Sequence, residues 1–199
     1  MPPAADTPLT LEVILDTAEE VIRRFGPAKA TVVDVARALG VSHAAVYRHV
    51  ETKADLRRLV VARWVDTTMA PLRAIVAAPG PAPQRLRRMF DTLIATKRQR
   101  AAKDPELFTA YRALVAGLPS VVVTHVNELI ELAATIIRAG VAEGTFQVAD
   151  PVAASRAIFS ATTRFHHPVH AAEWSDPQID LIYNEVWQML MNGLRVNER

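Results

Sequence analysis

The chain has 199 residues, half of them hydrophobic and 22% charged, with a formal net charge of +2. This balance predicts a compact globular protein with an ample core, and it does not by itself indicate a nucleic-acid partner. Cysteine is absent, which excludes disulfides, thiolate catalysis and cysteine-based zinc sites and permits an intracellular location.

The first predicted elements are a loose tail and a helix. Residues 1–8 are rich in proline and alanine and contain no signal-peptide pattern. The helix begins at Leu9 or Thr10 and ends at Phe25, because apolar residues recur at helical spacing as far as a glycine-proline pair. We expect this helix to complete a three-helix core with the two helices that follow.

The stretch from Thr31 to Lys53 predicts two short helices joined by a tight turn. Thr31 and Ser42 are the expected N-caps, and Gly40 ends the first helix in the left-handed conformation. The side chains that face inward at helical spacing are Val32, Val35, Ala36, Leu39, Val46 and Val50. Those left outside are His43, Ala44, Tyr47 and Arg48. This arrangement is a helix-turn-helix.

A long helix follows the motif. Thr52 is its expected N-cap, and the helix runs to about Ala78 with a kink at Pro71. Lys53 lies in the first turn, where a cation opposes the helix dipole, and this placement makes sense if a phosphate lies nearby. The proline-rich residues 79–83 end the helix.

Every later predicted element is also a helix. The predicted ranges are 84–103, a helix opened by Asp104-Pro105, a long apolar helix that ends near Gly140, 150–165, and 176–194. No convincing period-two alternation occurs, and no stretch approaches the roughly 18 uncharged apolar residues of a membrane helix. We therefore expect a soluble, all-α protein.

The motif resembles the N-terminal part of the TetR family of bacterial transcriptional regulators. The likeness covers about residues 10–60 and rests on the helix-turn-helix, on Y-R-H-V at 47–50 and on T-K-A-D-L at 52–56. Farther along, G-T-F at 144–146 followed by D-P at 150–151 looks like the usual lead-in to the last two helices. Val50 departs from the pattern, because family members more often have an aromatic residue there.

The resemblance implies a two-domain organisation and a regulatory function. Residues 1–55 would form a three-helix DNA-binding domain, and residues 56–199 would form a helical ligand-binding and dimerisation domain. The implied protein is a cytoplasmic homodimer, most simply a repressor that a small-molecule effector releases from a pseudo-palindromic operator in double-stranded DNA. We expect no enzymatic activity, no cofactor and no membrane partner.

Specific DNA contacts follow residue by residue from the resemblance. It implies that phosphates are contacted by Thr31, Tyr47, His49 and Lys53, all of which carry suitable donors. It also implies that the start of the second short helix meets base edges. The residues concerned are the cap Ser42, His43, Ala44, Ala45 and Arg48. Alanine can contact a thymine methyl group, and arginine can bind guanine O6 and N7. Taken alone, Tyr47 could simply close the small core, and His49 could be an ordinary surface residue.

Two further sets of residues are expected in the C-terminal helices and the long helix. Residues expected to line a ligand cavity between helices are Trp64, Phe90, Phe108, Tyr111, Leu129, Phe159 and His166. The last two long helices carry more apolar residues than one helical stripe needs, which predicts a dimer contact. Its expected members are Ile158, Phe159, Ile182, Trp187, Leu190 and Met191.

A histidine cluster leaves a second function open. His166, His167 and His170, with Glu173 nearby, could hold a metal in a metal-dependent enzyme or a metal-responsive regulator. Pro168 disfavours the required helical geometry, so we prefer partly buried histidines at a cavity or a subunit contact. We find no Ser/His/Asp triad and no phosphate-cradling glycine loop.

Helix 84–103 carries a series of basic residues. The series Arg85, Arg87, Arg88, Lys97, Arg98, Arg100 and Lys103 predicts a solvated helix face, although an acidic ligand or partner stays possible. A helical scaffold without DNA binding is the other alternative. The presence of both Tyr47 and Lys53 argues against it.

Overall fold

The computed structural model describes residues 8–29 and 31–195. Within these ranges the α-helices are α1 Leu11–Phe25, α2 Val32–Leu39, α3 His43–Tyr47, α4 Lys53–Ala77, α5 Ala82–Lys103, α6 Pro105–Ala116, α7 Pro119–Ala142, α8 Pro151–Ala161, α9 Thr163–His166 and α10 Ile179–Leu194. Short 3₁₀ turns cover Pro27–Lys29 and Pro168–Glu173. The described residues contain an isolated bridge between Phe146 and Arg195 but no strand. The all-α prediction is confirmed.

Side-chain caps explain where several helices begin. The Thr10 hydroxyl oxygen accepts a hydrogen bond from the Val13 amide at 3.3 Å, so α1 starts one residue later. Asp104 and Asp150 cap α6 and α8 in the same way, and each is followed by a proline at the first helical position. These aspartate-proline openings agree with the sequence prediction.

The helix predicted over 84–103 begins two residues earlier, at Ala82, and the helices predicted over 150–165 and 176–194 differ more. The helix predicted over 150–165 breaks at Thr162, whose hydroxyl donates to the Ile158 carbonyl at 2.8 Å, and the short α9 follows. The same threonine bond occurs in α1, α6 and α7, which continue past it, so this bond alone does not account for the break. Asp176 accepts a hydrogen bond from the Gln178 amide at 2.9 Å and forms a turn, so α10 starts only at Ile179.

The chain divides into two compact units, and the division falls within α4 and α7. The first unit comprises the described residues of Met1–Asp66 together with Asp104–Val122, and the second comprises those of Thr67–Lys103 together with Val123–Arg199. The first unit thus contains α6 as well as the helix-turn-helix. The predicted boundary between residues 55 and 56 separates a DNA-binding from a ligand-binding region, whereas the two compact units are separated by their packing. The functional boundary stays a prediction.

The first unit has one continuous apolar core. It is formed by Ile14, Ala18 and Ile22 of α1, Val35 and Ala36 of α2, Val46 of α3, Leu56 and Val60 of α4, and Tyr111 of α6. The rings of Trp64 and Tyr111 stack at 4.8 Å, which adds a specific aromatic contact to the general apolar burial.

The second unit is organised around buried aromatic residues. Phe90 lies 5.5 Å from Trp187, and Phe165 lies 5.2 Å from Tyr183, measured between ring centroids. The Tyr183 hydroxyl donates to Asp91 at 3.0 Å. Burial, together with the Asp91 carboxylate, raises the pKa of Tyr183, so this phenol stays a hydrogen-bond donor at physiological pH.

Helix α7 is the most apolar long helix of the described chain. By length and composition alone it could cross a membrane, with a mean hydropathy of 1.4 over an 18-residue window. The core helix of a soluble protein has the same composition. Helix α7 buries one face within the second unit, through Leu129, Ile130, Ala133, Ala134, Ile136, Ile137 and Gly140.

Gly140 makes room for a buried ring. A Cβ atom at this position would lie 2.2 Å from Cδ2 of Phe146, and the Phe146 side chain is 2% exposed. We expect Gly140→Ala to lower the free energy of unfolding by about 2 kcal/mol, because overpacking outweighs the better helix propensity of alanine. Urea denaturation measures the change.

Gly193 provides a matched control for this substitution. It also lies in a helix, α10, and an added Cβ there would meet nothing within 4 Å. Gly193→Ala should therefore be neutral or slightly stabilising. If both alanine variants showed the same stability, the packing explanation for Gly140 would be wrong.

Candidate nucleic-acid interface

The turn of the helix-turn-helix depends on Gly40. Its φ of 69° and ψ of 27° lie in the left-handed region, and its amide donates to the carbonyls of Ala36 and Arg37. The Val41 amide then donates to the Ala36 carbonyl at 3.1 Å. A side chain at position 40 would strain this backbone, so glycine allows the chain to reverse here.

Small apolar side chains fix the two helices of the motif. Ala36 and Val46 are completely buried, and Val50 is 2% exposed. Val50 therefore fills its core position although it is smaller than the aromatic residue that the resemblance leads one to expect. The predicted inner face of the motif is confirmed for these three residues.

The second helix of the motif, α3, presents its polar residues outward. The Ser42 hydroxyl oxygen caps it by accepting from the Ala45 amide at 3.2 Å. Ala45 is half-buried, and the exposed residues of this segment are Ser42, His43, Ala44, Tyr47, Arg48 and His49. Imidazole, phenol and guanidinium groups thus lie side by side on one short exposed segment.

Lys53 stands at the start of α4. The Thr52 hydroxyl oxygen accepts from the Asp55 amide at 3.1 Å, and the hydroxyl proton is donated to the Asp55 carboxylate at 2.9 Å. The Thr52 cap is therefore confirmed, and Lys53 is the first residue of α4 and exposed. The hydrogen bond from Thr52 is the main cause that lowers the pKa of Asp55, with Arg58 contributing.

Thr31 is occupied within the chain. Its hydroxyl donates to the Asp34 carboxylate at 2.6 Å, and its oxygen accepts from the Asp34 amide at 3.1 Å. The Thr31 cap is confirmed, but the hydroxyl proton is not free to bind phosphate in this arrangement. The phosphate contact of Thr31 stays a prediction.

Three basic residues affect the Asp34 carboxylate electrostatically. Its pKa is lowered first by the Thr31 hydrogen bond and then by the charges of Lys29, Arg37 and Lys53. Arg37 also donates a hydrogen bond to the Asp34 carboxylate at 3.3 Å. Arg37 was not among the residues predicted from the sequence to contact DNA. It is an exposed arginine on the outer face of α2.

The predicted ligand-cavity residues fall into two groups. Trp64, Phe108 and Tyr111 belong to the first unit, where Trp64 contacts both other rings. The members in the second unit are Phe90, Leu129, Phe159 and His166. Phe159 and His166 lie together, with ring centroids 4.7 Å apart. The sequence did not show that the set is divided, and its role in ligand binding stays a prediction.

The three clustered histidines have three different environments. His166 is 1% exposed, and its Nε2 lies 3.3 Å from the Thr162 hydroxyl. His167 is exposed, and its Nδ1 accepts from the Val169 amide. His170 binds the Glu173 carboxylate at 2.6 Å.

These different partners do not favour a shared metal ion. Glu173 is held by Arg164 as well as by His170, and these bonds lower its pKa, His170 contributing most. Among residues 8–29 and 31–195, no group of three His, Cys, Asp or Glu side chains could hold a metal ion. The structure gives the metal-dependent alternative no support.

The predicted dimer residues are only partly available to a second chain. Ile158, Trp187 and Met191 are buried within the chain itself, whereas Phe159, Ile182 and Leu190 are half-buried. On α10 the large exposed apolar side chains are Leu181 and Met189, which the sequence analysis did not name. The dimer contact stays a prediction.

The basic series on α5 is not uniformly a solvated face, which corrects the sequence interpretation. Arg85 and Arg98 have side chains only 12% and 18% exposed, and they pair with Glu143 and Asp180. Lys97 is half-buried, while Arg88 and Lys103 are exposed. Exposed and buried basic residues alternate with the helical period. The number of basic residues in the sequence does not show this alternation.

Comparisons with known proteins agree with these observations. The family described as "Bacterial regulatory proteins, tetR family" matches residues 14–60, and "Tetracyclin repressor-like, C-terminal domain" matches residues 82–187. A search of curated protein sequences found no match.

Several solved structures have the same fold. SmeT, the repressor of the Stenotrophomonas maltophilia multidrug efflux pump SmeDEF, is 18% identical, with a TM-score of 0.70 over 95% of this chain and 92% of that one. A transcriptional regulator from Pseudomonas aeruginosa PAO1 is 19% identical, with a TM-score of 0.71 over 92% and 90% of the two chains. A SmeT–triclosan complex is 17% identical, with a TM-score of 0.69 over 94% and 91%. The helix-turn-helix geometry and the two family matches together show that this chain belongs to the TetR family of bacterial regulatory proteins.

Proposed function

We propose that the protein is a cytoplasmic, dimeric repressor that a small molecule releases from its operator. The observation that carries the proposal is the helix-turn-helix of the first unit, which buries Ala36, Val46 and Val50 and leaves a row of polar donors exposed. A purely structural bundle has no need to expose phenol, guanidinium and imidazole groups on one short segment and an ammonium at the start of the next helix.

The proposed division of labour on DNA follows from side-chain chemistry. Tyr47, His49 and Lys53 would bind phosphates, which positions the protein without reading sequence. Arg48 would bind a guanine, and His43 with the neighbouring alanines would contact other base edges. Because the two alanines carry no hydrogen-bonding group, DNA shape and thymine methyl groups would contribute much of the specificity.

A dimer would set the spacing of the two recognition helices. Two copies of α3 would enter successive major grooves about 34–36 Å apart on a pseudo-palindromic site. We place the dimer contact on α8 and α10. Leu181 and Met189 of α10, 61% and 77% exposed, are apolar side chains that a second chain would cover.

The effector would act through α4. This helix carries Lys53 at its first position and continues to Ala77, so a displacement of the helix would move a proposed phosphate contact. The solved SmeT–triclosan complex, which shares the fold, supports a small-molecule effector. Release requires only that the effector prefers the conformation that does not bind DNA.

Titration of DNA with the full-length protein tests the proposed function. Fluorescence anisotropy with the DNA upstream of the protein's own gene should show saturable binding that random DNA does not match. Because lysine and arginine displace counterions from phosphates, binding should weaken strongly between 50 and 200 mM salt, by about 10³-fold or more if six phosphates are contacted. Absent or salt-independent binding would refute the repressor hypothesis.

A further inference from the structure

Three basic side chains of the second unit act on one another, because the charge of Lys97 affects both His125 and His166. Lys97 belongs to α5, His125 to α7 and His166 to α9. Lys97 continues the buried stripe of α5, which is formed at helical spacing by Leu86, Phe90 and Leu93. A cation thus occupies a position where the helical period predicts an apolar side chain.

Each of these side chains has unused binding capacity. Nδ1 of His125 and Nδ1 of His166 are buried and have no hydrogen-bond partner among the described residues. Lys97 makes no hydrogen bond or ion pair within residues 8–29 and 31–195. Buried polar atoms are normally satisfied, so the two unpaired imidazole nitrogens, in a unit where Lys97 also lacks a partner, point to a missing ligand.

The proton of His166 can be assigned from its neighbours. Thr162 donates its hydroxyl proton to the Ile158 carbonyl at 2.8 Å, so its oxygen is an acceptor toward His166 Nε2 at 3.3 Å. Nε2 therefore carries the imidazole proton, and Nδ1 has a free lone pair. This assignment leaves His166 neutral, in agreement with burial that lowers its pKa to about 3.

The charge of the cluster comes from Lys97. Burial and the Lys97 ammonium together lower the pKa of His125 to about 4, and Lys97 is also the strongest charge acting on His166. Burial and the nearby Arg100 lower the pKa of Lys97 itself to about 8, so it is still mainly protonated at pH 7. No carboxylate of the described chain is among the groups that shift these three pKa values.

This environment suits an anion and opposes a metal cation. The Lys97 ammonium repels a positive ion, whereas a negative group would neutralise it. The surroundings are apolar as well: the Phe159 ring lies 4.7 Å from His166, and Leu129, one turn after His125, is 1% exposed. An amphipathic molecule matches both properties.

We propose that the second unit binds an organic acid whose carboxylate pairs with Lys97 while its apolar body lies among Phe159, Leu129 and their neighbours. The free Nδ1 of His166 is an acceptor and would take a hydrogen bond from water held beside the carboxylate, and the His125 imidazole supplies a further polar atom. The inference rests on the proposed function in one respect, since the acid is taken to be the effector.

Paired probes of equal shape test this site. Isothermal titration calorimetry of the full-length protein without DNA compares 2-naphthoate with 2-naphthamide, and decanoate with decanamide. In the natural protein, at least one carboxylate should bind about tenfold or more tightly than its neutral amide, the range expected for a hydrogen bond to a charged group. If neither carboxylate binds more tightly than its amide, the proposal is wrong, whatever the variants do.

Two variants identify the cation responsible. Lys97→Met should remove the preference for the carboxylate and leave the affinity for the amide unchanged. Arg88→Met removes the same charge from an exposed position of the same helix and should change neither affinity. A carboxylate preference that survives in Lys97→Met, with folding checked by circular dichroism, would contradict the assignment of Lys97.

The test separates this proposal from the proposed function. Loss of operator binding would refute the repressor hypothesis without affecting calorimetry performed in the absence of DNA. Equal binding of carboxylates and amides would refute the acid site while operator binding persisted. If the preferred carboxylate binds but leaves operator affinity unchanged, the acid is not the effector.

Discussion

Replacing Tyr47 and Lys53 together by alanine is expected to weaken binding to every double-stranded DNA by about 10³-fold, at about 1 kcal/mol for each phosphate hydrogen bond. A dimer would lose four such contacts, two from each chain. Tyr47 is 48% exposed and Lys53 is exposed, so the fold should persist. Anisotropy titrations at several salt concentrations should also show a salt slope smaller by about 2, because two lysines no longer displace counterions.

Two single variants give this experiment its controls. Arg48→Ala should change the ratio of affinities for different operator sequences, since a guanine contact carries sequence information. Lys103→Ala removes an exposed lysine of α5 and should leave DNA binding unchanged. A double variant that lost affinity for one sequence only would contradict the assignment of Tyr47 and Lys53 to phosphates.

Lys97→Met is expected to stabilise the protein at neutral pH. Burial and the charge of Arg100 lower the pKa of Lys97 from 10.5 to about 8, with His125 and His166 as its other titratable neighbours. Folding thus disfavours the protonated amine that the unfolded chain exposes to water. Removing the amine should raise the free energy of unfolding at pH 7 by about 2 kcal/mol.

The sign of the pH dependence makes this prediction specific. Between pH 8 and 10.5 the unfolded natural chain binds more protons at position 97 than the native chain, so its stability rises with pH in this window. The advantage of Lys97→Met should therefore shrink as the pH increases. Urea denaturation of both proteins at pH 7 and pH 9.5 measures it, and a difference that stayed constant would mean that Lys97 is not held in the interior as a cation.

Local features of this chain were predictable because neighbouring residues determine them. The caps at Thr31, Ser42 and Thr52 each bond an amide three residues ahead, and Gly40 needs only its own backbone freedom. The helix-turn-helix consists almost entirely of such short-range features. Its position and its inward face were therefore read correctly from the sequence.

Features that depend on distant residues were less predictable. Trp64 and His166 were assigned to one cavity, but they belong to different compact units. The helical spacing of apolar residues does not show to which unit a residue belongs. Lys97 lies at helical spacing from the buried residues of α5, but its charge led to the prediction of a solvated face. The break at Thr162 was missed because a threonine inside a helical pattern usually leaves the ladder intact.

Helix α3 is only five residues long, and a helix of this length has no stability of its own in water, because nucleation costs more than one turn of hydrogen bonds returns. It is ordered by the burial of Val46 and by its attachment to α2 and α4. The proposed DNA-reading surface therefore forms and melts with the core of the first unit as one cooperative segment. A substitution deep in that core will weaken DNA recognition even though the altered residue never approaches the DNA.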